Sequence, residues 1–327
     1  WPRQGSPQLP VLEALDLLFG VRSGSQFQRA SDFGPAPFAY PDLRAEPCAF
    51  LRFVCLDYRQ IAKGSHAMKL AFTRPVSARI GECELTHLDR CPIDPTRAQA
   101  QHAAYERAIA DAGFDVVRLP ALDQHPDSVF VEDTAIILGE HAIVTRPGAA
   151  SRRAEANSTA DALSERFTVL RMTRGRLDGG DVLRIGRTIY VGQSKRTDCA
   201  GAIALANLAA PLGFEVVPVP HERCLHLKTG ATYAGLDDSG RQTLLINPDW
   251  IDQNLFEDVA LIPSHPDEPF AANVLRVGER LIVPTAYPRT AERLRSAGFV
   301  LDEVDIGELE KAEAGLTCMS LIAEPAV

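Results

Sequence analysis

Past residue 67 the chain repeats one hydrophobic pattern. Segments near 96–113, 151–165, 198–212, 249–257 and 288–297 carry apolar residues at helical spacing and predict amphipathic helices. Each is followed by a short apolar or β-branched run that predicts a strand: 115–119, 167–170, 215–219, 259–262 and 299–301. Glycine stands just past three of the helices, at Gly113, Gly213 and Gly298, where a left-handed residue commonly ends a helix. After each run come a polar cluster and two apolar stretches joined by a turn. The first four such pairs are 129–137 with 142–144, 179–185 with 188–191, 226–234 with 243–246, and 272–277 with 281–283.

One polar residue anchors the start of each pair: Asp133, Asp181, His226, Asn273 and Cys318, spaced by 48, 45, 47 and 45 residues. That period is within the range of repeat architectures. The fifth pair, opening at Thr317–Ile322, reaches the C-terminus without a returning strand, and Lys69–Phe72 at the other end of the repeat region is the predicted partner. Pairing the two closes five units into an α/β ring and leaves no open edge between first and last. In such a ring the starts of the hairpins converge on the axis. The pattern therefore predicts that Asp133, Asp178, His226 and Cys318 meet, although they are far apart in sequence.

Residues 1–67 follow no such pattern. They contain seven prolines, and the apolar run Val11–Val21 is broken by Glu13 and Asp16 without the basic flank or cleavage pattern of a signal peptide. This stretch reads as a flexible leader or extension outside the fold, with Met68 as the natural start and 68–327 as a single catalytic domain. The charge divides the same way. Of the net −9, residues 1–67 contribute +1 (7 basic, 6 acidic) and residues 68–327 contribute −10 (27 basic, 37 acidic).

An acidic chain without a basic block is a poor match for nucleic acid, and no apolar run approaches the length of a membrane span. The seven cysteines are odd in number and form no C-x-x-C pair, so reduced thiols and a cytoplasmic setting are expected.

Among the thiols only Cys318 holds an anchor position, and among the histidines only His226 does. His87, His102, His125, His141, His221 and His265 read as surface histidines. Around the Cys318–His226 pair the sequence gathers carboxylates: Asp127, Glu132 and Asp133, then Asp178 and Asp181. Carboxylates at the start of buried strands need a compensating cation. One histidine and a thiolate among hard oxygen donors make a poor metal set, so no metal or other cofactor is expected. An organic cation fits better, and a guanidinium offers a fork of donors that carboxylates match. Arg152 and Arg196, each just after a hairpin, read singly as solvated charges; together they form a clamp for a carboxylate. A ligand with a guanidinium at one end and a carboxylate at the other has the shape of arginine.

Six motifs in order carry a resemblance: Asp127–Asp133, Thr145–Gly148 with Ser151–Arg153, Leu177–Leu183, Val191–Thr197, Leu225–Lys228 and Leu316–Ser320. Over some 260 residues the chain resembles the dimethylarginine dimethylaminohydrolase family of the pentein, or guanidino-group-modifying, superfamily. The resemblance implies a five-bladed ββαβ propeller with pseudo-five-fold symmetry. It implies hydrolysis of Nω-methylated arginine to citrulline and a methylamine through a covalent Cys-thiouronium.

By the same resemblance Cys318 is the nucleophile, His226 the acid/base and Asp178 its acidic partner. Glu132 and Asp133 hold the guanidinium, Asp127 and the Ala312 carbonyl the α-ammonium, and Arg152 and Arg196 the α-carboxylate. Two adjacent strand residues point to opposite faces, so Glu132 and Asp133 require a bend or a supporting role for one of them. The segment 77–92 departs most from the family pattern and corresponds to a lid, with Leu85 or a neighbour lining the pocket. The expected partner is a small guanidino amino acid, with a homodimer compatible. The rivals are an arginine deiminase, an amidinotransferase and a non-catalytic arginine-derivative sensor. Agmatine deiminase is disfavoured, because agmatine offers the two arginines no carboxylate.

Overall fold

The repeat of hydrophobic runs becomes a repeat of small sheets. The computed structural model describes residues 69–324, so the expectation for 1–67 is outside the described residues. In chain order the strands are β1 (Leu70–Thr73), β2 (Asp115–Arg118), β3 (Ala135–Leu138), β4 (His141–Val144), β5 (Thr168–Arg171), β6 (Val182–Ile185), β7 (Thr188–Gln193), β8 (Glu215–Pro220), β9 (Ala231–Leu236), β10 (Gln242–Ile246), β11 (Ala260–Pro263), β12 (Leu275–Val277), β13 (Arg280–Pro284), β14 (Val300–Val304) and β15 (Leu321–Ala323). They form five three-stranded sheets, β3-β4-β5, β6-β7-β8, β9-β10-β11, β12-β13-β14 and β15-β1-β2. In each sheet the first strand is antiparallel to the second, and the second is parallel to the third.

The fifth sheet joins the two ends of the repeat region. Leu70, Ala71 and Phe72 face Ala323, Ile322 and Leu321, as the missing hairpin partner required. The result is the pseudo-five-fold pentein arrangement. The first strands of all five sheets, β3, β6, β9, β12 and β15, contribute lining to one cavity of about 220 Å³.

Parallel strands need a crossover, and here it is a helix in four of five units. These are α1 (Pro95–Asp111), α2 (Glu155–Leu163), α3 (Cys199–Ala209) and, after the short α4 (Leu227–Gly230), α5 (Pro288–Ser296); the short α6 (Gly307–Glu310) follows. Asp94 caps α1 by accepting from the Thr96 and Arg97 amides at 2.9 and 3.2 Å, and Pro95 opens the first turn. Ala98, His102, Tyr105 and Ile109 follow at helical spacing and are buried, and Ala98, Tyr105 and Ile109 join an apolar cluster with Ala71 of the fifth sheet and Ile282 of the fourth. Gly113, Gly213 and Gly298 have φ of +87°, +81° and +90°, the left-handed conformation expected beyond a helix end.

The helix predicted over 249–257 does not form; only a 3-10 turn at Gln253–Leu255 is present. The side chains of Asn247 and Asp252 accept from the amides of Asp249 and Asn254, both at 3.0 Å. Such local bonds satisfy the backbone in turns and compete with the helical ladder. The strand predicted from Val129 also starts late. Val131–Thr134 is a 3-10 turn, and β3 begins only at Ala135.

Candidate active site

The same local feature recurs ahead of the first strand in four units. Short 3-10 turns at Val131–Thr134, Gly179–Asp181 and Thr317–Met319 and the single helical turn of α4 carry, or directly follow, the candidate residues. A 3-10 turn advances about 120° per residue. Glu132 and Asp133 are therefore not opposed as they would be on a strand, which removes the difficulty of their adjacency.

Seven of the ten predicted site residues line one small cavity: Asp127, Asp133, Arg152, Arg196, His226, Ala312 and Cys318. The cavity offers only about 20 Å³ of free space. Asp178 is behind His226 and fully buried; its Oδ2 is 3.0 Å from His226 Nε2, and its Oδ1 accepts from the Gly148 amide at 2.7 Å. Asp133 Oδ1 is 3.8 Å from the same imidazole nitrogen. Gly180 lets the ring sit there, because a Cβ at that position would come within 2.5 Å of His226 Nδ1. Burial disfavours the imidazolium, yet Asp133, the hydrogen bond with Asp178 and Asp181 outweigh it and raise His226 to about 9.

Cys318 is 9% exposed. Burial, with the charges of Glu132 and Asp133, pushes its thiol up to about 12 against the opposing effects of the Gly315 amide and Lys228. The Gly315 amide donates to Sγ at 3.3 Å. Tyr105, buried on α1, donates to the Leu316 carbonyl at 2.8 Å and pairs with Ser320 Oγ at 2.7 Å, so the helix holds the turn on both sides of the thiol.

Glu132 does not line this cavity; it lines the larger one bounded by the first strands. Lys228 Nζ pairs with its Oε1 and Thr317 Oγ1 donates to its Oε2 at 2.8 Å. Burial raises its carboxyl despite Lys228. Asp133 is held below the usual carboxylate range: burial opposes this, but the charges of His226 and Arg152 prevail. Arg152 is almost fully committed. It bonds Asp133, Glu155 and the carbonyls of Asp127 and Phe130, which leaves one Nη1 hydrogen for another group. Arg196 is freer, with Nη2 donating to Thr86 Oγ1 at 3.0 Å.

The segment expected as a lid is tied to the site residues. The Glu84 amide reaches both Asp127 oxygens at 3.1 and 3.3 Å, and Ser151 Oγ donates to Glu84 Oε1 at 2.7 Å. Glu313, at a left-handed φ of 60°, accepts from the amides of Thr86, His87 and Leu88 at 3.0, 2.5 and 2.6 Å. Leu85 packs against the apolar cluster that contains Cys318, and its neighbour Glu84 lines the cavity.

Several contributors escaped the sequence reading. Glu84, Glu313 and Tyr105 act through long-range contacts that leave no local pattern. Lys228 belongs to a quoted motif, yet nothing in its spacing announces the pairing with Glu132. Two histidines read as surface residues are buried: His102 at 4% exposure, and His221, whose Nε2 is 3.1 Å from Asp181 Oδ1. Asp181 also accepts from Ser194 Oγ and the Leu227 amide, so it braces the His226 turn and takes no part in the cavity.

Asp133, Asp178 and His226 present donor atoms within 4.8 Å of one another, a set that could hold a cation. Arg152 and the Gly180 amide already hold Asp133, and the Gly148 amide holds Asp178. These carboxylates are thus satisfied from within the protein, and the donor set suits proton handling better than ligation. No helix among the described residues is long and apolar enough to cross a membrane.

Comparison with known proteins agrees with this geometry. A family model described as N,N dimethylarginine dimethylhydrolase, eukaryotic, matches residues 91–233. A protein of Streptomyces coelicolor named N(G),N(G)-dimethylarginine dimethylaminohydrolase is 39% identical over 258 residues, 77% of this chain and 96% of that protein. The crystal structure of a cysteine-to-serine mutant of the enzyme from Pseudomonas aeruginosa, complexed with citrulline, superposes with a TM-score of 0.73 at 33% identity, covering 79% of this chain and all of that one. A histidine-to-glycine variant of such an enzyme, as an adduct with S-methyl-L-thiocitrulline, gives 0.72 at 33% identity, covering 78% of this chain and all of the other. The chain belongs to the dimethylarginine dimethylaminohydrolase family, whose members are hydrolases of guanidino C–N bonds.

Proposed function

We propose that residues 68–327 form the catalytic unit of an enzyme that hydrolyses Nω-methylated arginine to citrulline and methylamine or dimethylamine, with Cys318 as nucleophile. The observation that carries this reading is one cavity in which a thiol, a carboxylate-paired imidazole and Asp133 meet from three different turns. The names and ligands of the relatives supply the methylated substrate. The free thiols of Cys83, Cys91, Cys199, Cys224 and Cys318 support a reducing, cytoplasmic setting.

Resonance makes a guanidinium carbon a poor electrophile. Asp133 in the cavity and Glu132 behind it orient the group, and their charge gains weight as the carbon becomes tetrahedral and positive charge localises on nitrogen. The substrate cation also relieves the negative field that keeps the thiol protonated. The Cys318 thiolate attacks the carbon, and protonated His226 delivers its proton to the departing nitrogen, so the methylamine leaves neutral. A thiouronium on Cys318 remains. Neutral His226 then takes a proton from water, which attacks the same carbon and releases citrulline and the thiol. Asp178 keeps the imidazole oriented through both steps.

Asp127 and the Ala312 carbonyl receive the α-ammonium, while Arg196 and the remaining N–H of Arg152 receive the carboxylate. The lid contacts of Asp127 and Arg196 must yield to the amino acid, so substrate entry and release of the segment near Thr86 are one event. Burial raises Asp127 to about 6, against the charge of Arg152. A raised carboxyl binds a cation only above its own range. KM is therefore expected to increase as the pH falls through about 6, and Asp127→Asn should remove that inflection while raising KM at neutral pH. An unchanged KM–pH curve in the variant would count against this assignment.

The function itself is tested by separate incubation with dimethylarginine, arginine and agmatine. Release of dimethylamine with citrulline from the first is expected. Ammonia from arginine at a higher kcat/KM would favour a deiminase instead, and turnover of none of the three would reject the proposal.

A further inference from the structure

Of the five anchor residues of the repeat, Asn273 has no place in the chemistry, yet its side chain is only 4% exposed and touches the turns that have one. Its Oδ1 accepts from the Thr317 amide at 3.0 Å. Its Nδ2 donates to the Lys228 carbonyl at 3.0 Å and to Thr317 Oγ1 at 3.2 Å. The backbone partners fix the orientation of the amide, because an amide N–H can only donate and a carbonyl can only accept. Both Nδ2 hydrogens are used. Thr317 Oγ1 passes its own hydrogen on to Glu132 Oε2 at 2.8 Å.

A single amide thus joins three turns. Lys228 is two residues beyond His226, Thr317 immediately precedes Cys318, and Glu132 adjoins Asp133. The Cys318 turn presses directly on this amide, since a Cβ at Gly315 would come within 2.2 Å of Asn273 Cγ. The strand ladders do not themselves span these turns, because the turns precede the first strands of their sheets.

We propose that Asn273 is a positioning residue that sets the Cys318 thiol against His226 and Glu132. This rests on the function proposed above. An aspartate at the same position keeps the shape but loses both donations and adds a charge beside Glu132. Alanine leaves the Thr317 amide and the Lys228 carbonyl without partners.

The test compares Asn273→Asp, Asn273→Ala and the unaltered protein in steady-state turnover of dimethylarginine, each normalised to its folded fraction. A misplacement of about 1 Å at a reacting centre can cost about 100-fold. A fall of that order in kcat is expected in both variants, with KM within about threefold. In Asn273→Asp the loss should shrink as the pH is lowered, because a protonated carboxyl regains a donor for Lys228; in Asn273→Ala it should not.

Alkylation of Cys318 by iodoacetamide, followed by peptide mass across pH, reads the thiol whether or not dimethylarginine is the substrate. Its rate profile is expected to shift in both variants. Profiles that superpose on the unaltered protein would overturn the proposal, as would kcat within twofold in both variants of an active enzyme. An inactive unaltered protein would speak against the function alone, and the alkylation profiles would still decide the role of Asn273.

Discussion

Replacing Cys318 by serine is expected to lower turnover of dimethylarginine by at least about 10³-fold while leaving substrate affinity within a few-fold. The hydroxyl keeps the position and can still accept from the Gly315 amide. It cannot supply a comparable nucleophile. Burial and the field of Glu132 and Asp133, which together push a thiol up to about 12, act on a group whose ordinary value is far higher. The cationic ligand relieves that field for either residue, but the serine starts too far away for the relief to matter. The proposed mechanism gives binding to Asp127, Asp133, Arg152 and Arg196, none of which contacts Sγ by hydrogen bond. Calorimetric titration with dimethylarginine should therefore give an affinity close to that of the unaltered protein, with an unchanged melting temperature. Turnover within tenfold of the unaltered protein would reject Cys318 as nucleophile. So would activity lost in the serine variant together with its folded state and regained at another cysteine.

The fold was legible because its repeat unit is written in residues that also make its core. Phe72, Ile143, Ile189, Leu244 and Ile282 are buried, each on the middle strand of its sheet, and a periodic burial requirement leaves a periodic sequence. Closure between Leu70–Phe72 and Leu321–Ala323 followed from counting, since one hairpin lacked a partner. The helix predicted at 249–257 failed for a local reason: Asn247 and Asp252 turn their side chains onto the backbone, which hydrophobic spacing does not register.

Within the site, residues at the anchor positions were visible as a set, because the ring places equivalent positions together. What a residue does once there was less visible. Asp181 and Asp133 occupy equivalent positions, but hydrogen bonds with His221 and Ser194 tie up the first, while the second faces the cavity. Arg152 looked like one of two free cations, and it proves to be held by Asp133 and Glu155. Such commitments depend on partners tens of residues away, and the contacts of Glu313 with Thr86–Leu88 span more than two hundred.

The protonation states of the site lead to the second large effect. At neutral pH the resting enzyme holds a neutral thiol, pushed up to about 12, and an imidazolium, raised to about 9. The productive pair, thiolate with imidazolium, has the same number of protons as thiol with neutral imidazole. The latter dominates between the two values, and the productive form is a small minority beside it. The free enzyme must lose one proton to reach either form. Hence kcat/KM is expected to rise with pH up to about 9 and then level. Bound guanidinium favours the thiolate, so the acid limb of kcat should lie at lower pH than that of kcat/KM.

His226→Ala removes the inflection near 9 and both proton transfers, and kcat should fall by about 10²–10⁴-fold. The two chemical steps are not affected alike. A cationic guanidinium carries some driving force for its own collapse, whereas water has none without a base. The variant should therefore accumulate the thiouronium, seen as a mass increase on the peptide that contains Cys318. Asp178→Asn should give a smaller fall in kcat with the inflection moved to lower pH, since the imidazolium loses its 3.0 Å carboxylate partner but keeps Asp133 at 3.8 Å. Full turnover in His226→Ala, or an inflection that stays near 9 in both variants, would remove His226 from the proton-transfer role and leave the pH dependence to another group.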